Sequence, residues 1–304
     1  MRALVVTNMW PSPERPALGA FVRDQVEALR RLDGIEVEVF AFAPGAYVRA
    51  ARELRARHRG GAHDIVHAHF GLSAWVALAL PGSAPRAVTL HGTDVRHPRS
   101  RAITRAALGR MDLVAAVSEE LAAAVPGHHD VRVLPCGIDI QRFNPIPRAV
   151  AREELGLPVD QPCLLFPADP ARAGKRYDLA LEVAGGAPLH ALVGIDPLRV
   201  PLWINAANAV VLPSEAEGFG LAVLEALACD VPVLATPVGN HPAALDGVTG
   251  SLCAPYDRER WGALAAAHLA ASDPRVAGRD RAEQWSADRM ALRVAAAWRE
   301  LLGA

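Results

Sequence analysis

The 304 residues carry a formal net charge of −1, with 51% hydrophobic and 21% charged residues, which allows one large or two ordinary domains with substantial cores. Aromatics at 5% and a near-zero total charge exclude a nucleic-acid specialist, so no nucleic-acid partner is expected. No apolar run approaches the roughly 18 residues of a membrane span.

The chain opens on MRALVVTNMW, where ALVVT (3–7) reads as a first strand rather than a signal peptide. PERPALGAFVRDQ (13–25) connects it to a helix-like FVRDQVEALRRL (21–32). Strand-like runs follow at 37–42, 64–70, 86–92, 113–118 and 131–137, rich in β-branched residues and bounded by turn chemistry. Between them, YVRAARELRARHRG (47–60) holds five arginines. It reads either as a solvated helix or as an arm for anionic lipid. His67 and His69 share one face of their strand. Pocket lining or packing is their expected role, since no further metal ligands accompany them. His128-His129 lies in a turn-like stretch.

Strand–helix alternation pauses at FNPIPRAVAREELGLPVDQP (143–162), where prolines cluster around a short helical piece and predict a domain boundary. It restarts with CLLFPAD (163–169), HALVGI (190–195), NAVVLP (208–213) and VPVLATPVG (231–239), with helices between. A last helix is expected from near Ser286 to Gly303. The predicted units are 1–148, 149–285 and a closing helix at 286–304, possessing a basic first half (19 Arg against 14 Asp plus Glu in 1–148) and an acidic second half. The pattern is α/β, two open parallel sheets with helices on both faces. Ligands bind such sheets outside the carboxyl ends of the strands, and two domains make a cleft. The four cysteines form no CxxC pair, so reduced thiols in a cytoplasmic protein and no metal site are expected.

SEAEGFGLAVLEA (214–226) follows the buried-looking NAVVLP. Gly218 and Gly220 let a ligand approach the backbone. The helix opening near Leu221 offers free N–H donors and a positive dipole end suited to phosphate. Glu217 before the turn and Glu225 within the helix can each accept hydrogen bonds from sugar hydroxyls. The plain alternative is a βα loop with two exposed carboxylates.

The Glu217–Glu225 spacing is similar to the EX7E motif of retaining glycosyltransferases of the GT-B fold, glycosyltransferase family four in particular. NAANAVVLPSEAEGFGLAVLEALACDVPVLATPVGN with DGVTGSLCAP resembles that family over about 50 residues. HAHF (67–70), HGTD (91–94), VSEEL (117–121) and VLPCGIDIQRFNP (133–145) resemble its acceptor-side domain. The resemblance implies two Rossmann-like domains facing each other across a cleft. It implies Glu217 on donor-sugar hydroxyls, Glu225 on the ribose, and backbone amides of Gly218, Phe219, Gly220 and Leu221 on sugar and phosphate. His91 would sit beside the sugar, with Asp94 in the same loop; Gly19 and Arg23 match the acceptor loop, and His69 falls on the acceptor side. Gly194 and Ile195 would pack on the nucleobase.

The loop FPADPARAGKRYD departs from the family pattern. Asp169 stands in the usual arginine position, leaving Arg172 and Lys175, the sole lysine, for the diphosphate. No DxD pair occurs, which fits metal-independent transfer from a UDP-sugar or GDP-sugar to a hydroxyl acceptor. The implied location is cytoplasmic, with peripheral membrane contact through 47–60. The stretch 189–208 is short for the family, and with Asp169 it keeps open a degenerate nucleotide-sugar-binding partner. A sugar-nucleotide epimerase of the same fold is a third reading. A nicotinamide dehydrogenase is disfavoured because no G-x-G-x-x-G follows the first strand.

Overall fold

The computed structural model describes residues 1–125, 127 and 130–303; His128-His129 lies outside the described residues. Two compact units emerge: Met1–Gly137 together with the segment from Ala287 onward, and Ile138–Ser286.

The first unit is built on six parallel strands in the order β2-β1-β3-β4-β5-β6. They are β1 (Arg2–Thr7), β2 (Glu36–Ala41), β3 (Ile65–His69), β4 (Arg86–Leu90), β5 (Leu113–Ala116) and β6 (Arg132–Val133). The central β3 and β4 are buried at every residue, as expected where helices cover both faces of a parallel sheet. β1 lies in register with β3, pairing Val5 with His67 and Thr7 with His69. The helix Ala20–Arg30 buries Val22, Val26 and Leu29 in one apolar cluster with Met290, Val294 and Trp298 of the helix Ala287–Leu302. The C-terminal helix therefore belongs to the first unit's core. The Gly137 amide donates to Met290 Sδ.

The second unit holds five parallel strands in the order β11-β10-β9-β7-β8: β7 (Leu164–Phe166), β8 (Leu189–Ala191), β9 (Ala209–Leu212), β10 (Val233–Ala235) and β11 (Leu252–Cys253). The division falls at Gly137–Ile138, ahead of the prolines that predict it at residue 148. The intervening segment is anchored in the second unit: Arg279 donates to the carbonyls of Phe143 and Ile140, and Arg275 to that of Ile146. Arg148, 2% exposed, donates to the Ala207 and Ser272 carbonyls. Guanidinium–carbonyl bonds, invisible to a composition scan, decide where this chain changes unit.

In each sheet the strand order reverses once, between β1 and β3 and between β7 and β9. In open sheets of this kind ligands bind outside the carboxyl ends of the strands at such a reversal.

Candidate functional site

The loops after β7 and β9 meet at the second unit's reversal point. The first ends in a short 3-10 turn, Ala173–Lys175. The second runs from Pro213 to Gly220 and opens the helix Leu221–Ala228. A backbone bond from Glu215 N to the Gly174 carbonyl, 2.9 Å, ties the two loops together. Beside it Lys175 Nζ donates to Glu217 Oε1 at 2.5 Å, with the side chains only 14% and 11% exposed. Burial pushes the Glu217 carboxyl up. The Lys175 charge and hydrogen bond, with smaller contributions from Ser214 and His241, outweigh it and hold Glu217 below the usual carboxylate range. Glu217 is thus held as a carboxylate at neutral pH.

Gly220 caps this helix at φ +100°, with no side-chain cap on the first turn. A Cβ there would lie 2.5 Å from His241 Nε2. The left-handed φ and the imidazole together require glycine. His241 is itself fixed, since its Nδ1 can only donate to the Thr236 carbonyl, 2.9 Å away. Asn240 N donates to the Phe219 carbonyl at 2.7 Å. The loop after β10 therefore forms a shelf under residues 217–220. His241 and Asn240 carry no signal of their own in the sequence; their place just beyond the carboxyl end of a strand is what marks them.

Phe219 is buried, while Leu221 and Ala222 keep partial exposure. Glu225, half-buried, sits one turn further along. Gly194, with φ +65°, and Ile195 lie in the loop leaving the carboxyl end of β8, strand neighbour of β7. Asp169 accepts from the Ala171 amide at 2.9 Å, closing a turn of its own loop. Arg172 is exposed and makes no ion pair among the described residues. The adjacent Arg176 is taken up by Asp178 and Glu215.

In the first unit, three imidazoles stack at the carboxyl end of β3 and β4. Ring centroids lie 4.8 Å apart for His67 and His69, and 5.3 Å for His69 and His91. His67 and His69 are fully buried and His91 half-buried. Burial drives all three below the ordinary imidazole range, His69 to about 4. His67 is closed off by Trp298 Nε1, 3.0 Å from its Nδ1, and Thr89 Oγ1, 2.8 Å from its Nε2. His69 is enclosed as well, so it supports His91 instead of meeting an acceptor. Asp94 lies in the segment that carries His91. Fully buried, it accepts from the amides of His91, Gly92 and Gly71 and pins the loop that carries His91.

Gly19 begins the first helix at φ +69°, and a Cβ there would meet the Met9 carbonyl at 2.2 Å. It folds the loop after β1 back on itself. Arg23 pairs with Asp24 and Glu27. The ends of β1 and β2 frame a cavity of about 420 Å³ lined in part by Asn8, Trp10, Arg15, Leu18 and Phe42.

The arginine-rich stretch forms the helix Tyr47–Arg57, which buries Ala50 and Leu54 and turns its arginines to solvent. No helix among the described residues is long and apolar enough to cross a membrane. One group among them has ligand atoms close enough for a metal: Glu38, His58 and His63, within 4.8 Å of one another. Glu38 lies within β2 and His58 and His63 precede β3, and the charge of Arg2 acts on Glu38 as well, which opposes a further cation. Burial pushes the Cys136 and Cys229 thiols up to about 12, so both are inert.

Residues 12–142 match the model of Glycosyltransferase Family 4, and residues 173–271 that of Glycosyl transferases group 1. The D-inositol 3-phosphate glycosyltransferase of Mycolicibacterium paratuberculosis is 30% identical, covering 90% of this chain and 73% of its own. That of Actinosynnema mirum is 31% identical, covering 75% and 69%. Among solved structures, sucrose-phosphate synthase from Thermosynechococcus elongatus gives a TM-score of 0.75 at 22% identity over 99% of both chains. Anabaena HepE in complex with UDP and glucose gives 0.70 at 18% over 98% and 99%. These likenesses extend the two-unit α/β architecture to GT-B glycosyltransferase structures. The chain belongs to glycosyltransferase family four, the glycosyl transferases group 1.

Proposed function

We propose that this glycosyltransferase moves a sugar, with retention of anomeric configuration and without metal, from a UDP-sugar or GDP-sugar to a hydroxyl acceptor. The observation that carries the reading is the half-buried Lys175–Glu217 pair at the reversal point of the second sheet, beside a helix start without a side-chain cap. A nucleoside diphosphate-sugar is negative in the middle and hydroxylated at both ends. Lys175, Arg172 and the amides at Gly220 and Leu221 suit the diphosphate. Glu217, held ionised, suits the donor sugar, Glu225 the ribose, and Gly194 with Ile195 the base.

In the reaction the acceptor oxygen bonds to the anomeric carbon on the face the diphosphate leaves. The bond from that carbon to the phosphate oxygen breaks, and the acceptor proton passes to the departing diphosphate. Lys175 and Arg172 stabilise the growing phosphate charge, the larger share of catalysis where chemistry is mostly charge separation. No side chain need be nucleophile or base. The acceptor is assigned to the carboxyl edge of the first sheet, with its cavity at Trp10 and Arg15. The family relatives named for D-inositol 3-phosphate make a polyol phosphate a natural first acceptor to try. Peripheral membrane contact through the Tyr47–Arg57 helix and a cytoplasmic site of action complete the reading.

A thermal-shift panel of nucleotide sugars tests it, followed by assay of nucleoside diphosphate release. A true donor at about 100 times its dissociation constant adds roughly 2.7 kcal/mol of stability. Lys175→Ala is expected to lower turnover about 10²–10³-fold, and Glu225→Ala to weaken donor binding by about 1.5–3 kcal/mol. Unchanged turnover in Lys175→Ala at saturating donor contradicts the assignment. Binding with no release for any acceptor supports the degenerate partner, the reading that Asp169 keeps in view.

A further inference from the structure

The three stacked imidazoles are linked by hydrogen bonds whose direction follows from the Gln25 amide as it is oriented and from the indole of Trp298. Gln25, on the inner side of the helix Ala20–Arg30, is 7% exposed, and its Nε2 lies 3.2 Å from His69 Nε2. An amide nitrogen only donates, so His69 Nε2 accepts. A fully buried, neutral His69 then carries its proton on Nδ1. That nitrogen lies 3.1 Å from His91 Nε2, which must accept in turn. A neutral His91 therefore carries its proton on Nδ1, the nitrogen without a protein partner among the described residues. His67 is polarised the other way. The indole of Trp298 only donates, so His67 Nδ1 accepts and its Nε2–H donates to Thr89. Phe21 packs on the His91 ring at 4.9 Å and, with the bond to His69, opposes a ring flip.

We propose that Gln25 is a positioning residue: acting through His69, it fixes His91 in the Nδ1–H tautomer, so that His91 offers a hydrogen-bond donor and not an acceptor on its free side. The inference rests on the reading of His91 as the residue beside the donor sugar, since only then does the tautomer matter to transfer. An Nδ1–H there donates to a sugar oxygen; a bare Nδ1 would repel an oxygen lone pair and could only accept from a hydroxyl. The second nitrogen decides what the first can do, and the deciding group is a neutral amide two side chains away, on a helix.

The replacement Gln25→Glu makes a sharp test because it keeps the shape and reverses the direction. A carboxylate accepts, so His69 would protonate on Nε2 and accept at Nδ1. His91 would then donate from Nε2 and present a bare Nδ1. Ring-nitrogen NMR of 15N-histidine-labelled protein reads this directly. In the wild type His69 and His91 should both be protonated at Nδ1 and His67 at Nε2; in Gln25→Glu the first two should invert while His67 stays. Nucleoside diphosphate release in Gln25→Glu should fall about 10–10²-fold in kcat, with donor KM changed much less, and Gln25→Asn, which keeps a donor on a shorter arm, should recover part of the loss. Wild-type His69 protonated at Nε2, or charged at neutral pH, overturns the proposal with no variant needed. Inversion of the tautomers with kcat unchanged also overturns the positioning role and, with it, the placement of His91; the effect of Lys175→Ala then shows separately whether the donor site of the second unit stands.

Discussion

A single lysine in a chain of 304 residues is held by a carboxylate at the point where a phosphate-binding site is expected. Neither partner can be removed without consequence for the other. Loss of Lys175 leaves Glu217, only 11% exposed, without the largest influence that holds its carboxyl down, so that carboxyl rises. Gly220 makes a second residue-level constraint. Its φ of +100° already costs an L-residue about 1–2 kcal/mol, and an added methyl group meets a fixed imidazole. Gly220→Ala is therefore expected to lower stability by at least that amount and to weaken nucleoside diphosphate binding. Urea unfolding and a UDP or GDP titration check both effects. A variant that binds as the wild type does would mean the loop from 217 to 220 does not approach the ligand. The EX7E spacing was legible in the bare sequence because Glu and Gly bracket a strand-to-helix turn. His241 was not legible: a histidine before a proline says nothing until the fold sets its ring against Gly220. The structural work of Asp94 was not legible either: only the fold shows its carboxylate holding the amides of Gly71, His91 and Gly92.

At the scale of elements, the histidine-bearing β3 and β4 carry a pH dependence. Unfolded His69 takes up a proton near its ordinary value of 6.5, and folded His69 only near 4. Between these values the unfolded state binds more protons, so stability is complete above pH 6.5 and falls as pH drops. His69 alone contributes a loss of about 2 kcal/mol at pH 5 relative to pH 7.5, and His67 and His91 add to it in the same direction. Glu217, shifted down, loses its contribution only below the ordinary carboxylate range near 4.5. A urea midpoint that falls between pH 7.5 and pH 5, before the carboxylates titrate, is the expected result; a flat midpoint across that window contradicts the burial of the column. The strands themselves were easy to place. Ten of the eleven strands among the described residues fall on strand-like runs of the sequence, although the β7 run CLLFPAD holds no β-branched residue; β11, Leu252–Cys253, falls on none of them. Helices such as Pro98–Leu108 were harder, since PRSRAITRAAL offers arginines on most of its faces and little apolar stripe.

For the whole molecule, the chain builds one parallel sheet, leaves it at Gly137 to build a second, and returns at Ala287 with a helix that completes the first core. Composition signalled two units through the charge difference between the halves. It could not locate the crossing, because the arginines that fix residues 138–148 to the second unit act through backbone carbonyls. Each sheet reverses its strand order once, and the residues singled out for chemistry collect at the carboxyl ends beside those reversals. The central claim is that the second unit's reversal point is a nucleoside diphosphate site. The most direct measurement is a crystal structure of the protein soaked with UDP or GDP. The account predicts diphosphate density at Lys175 and the amides of Gly220 and Leu221, with the ribose at Glu225. Density for the diphosphate at any other place, with Lys175 still bound to Glu217 alone, contradicts it.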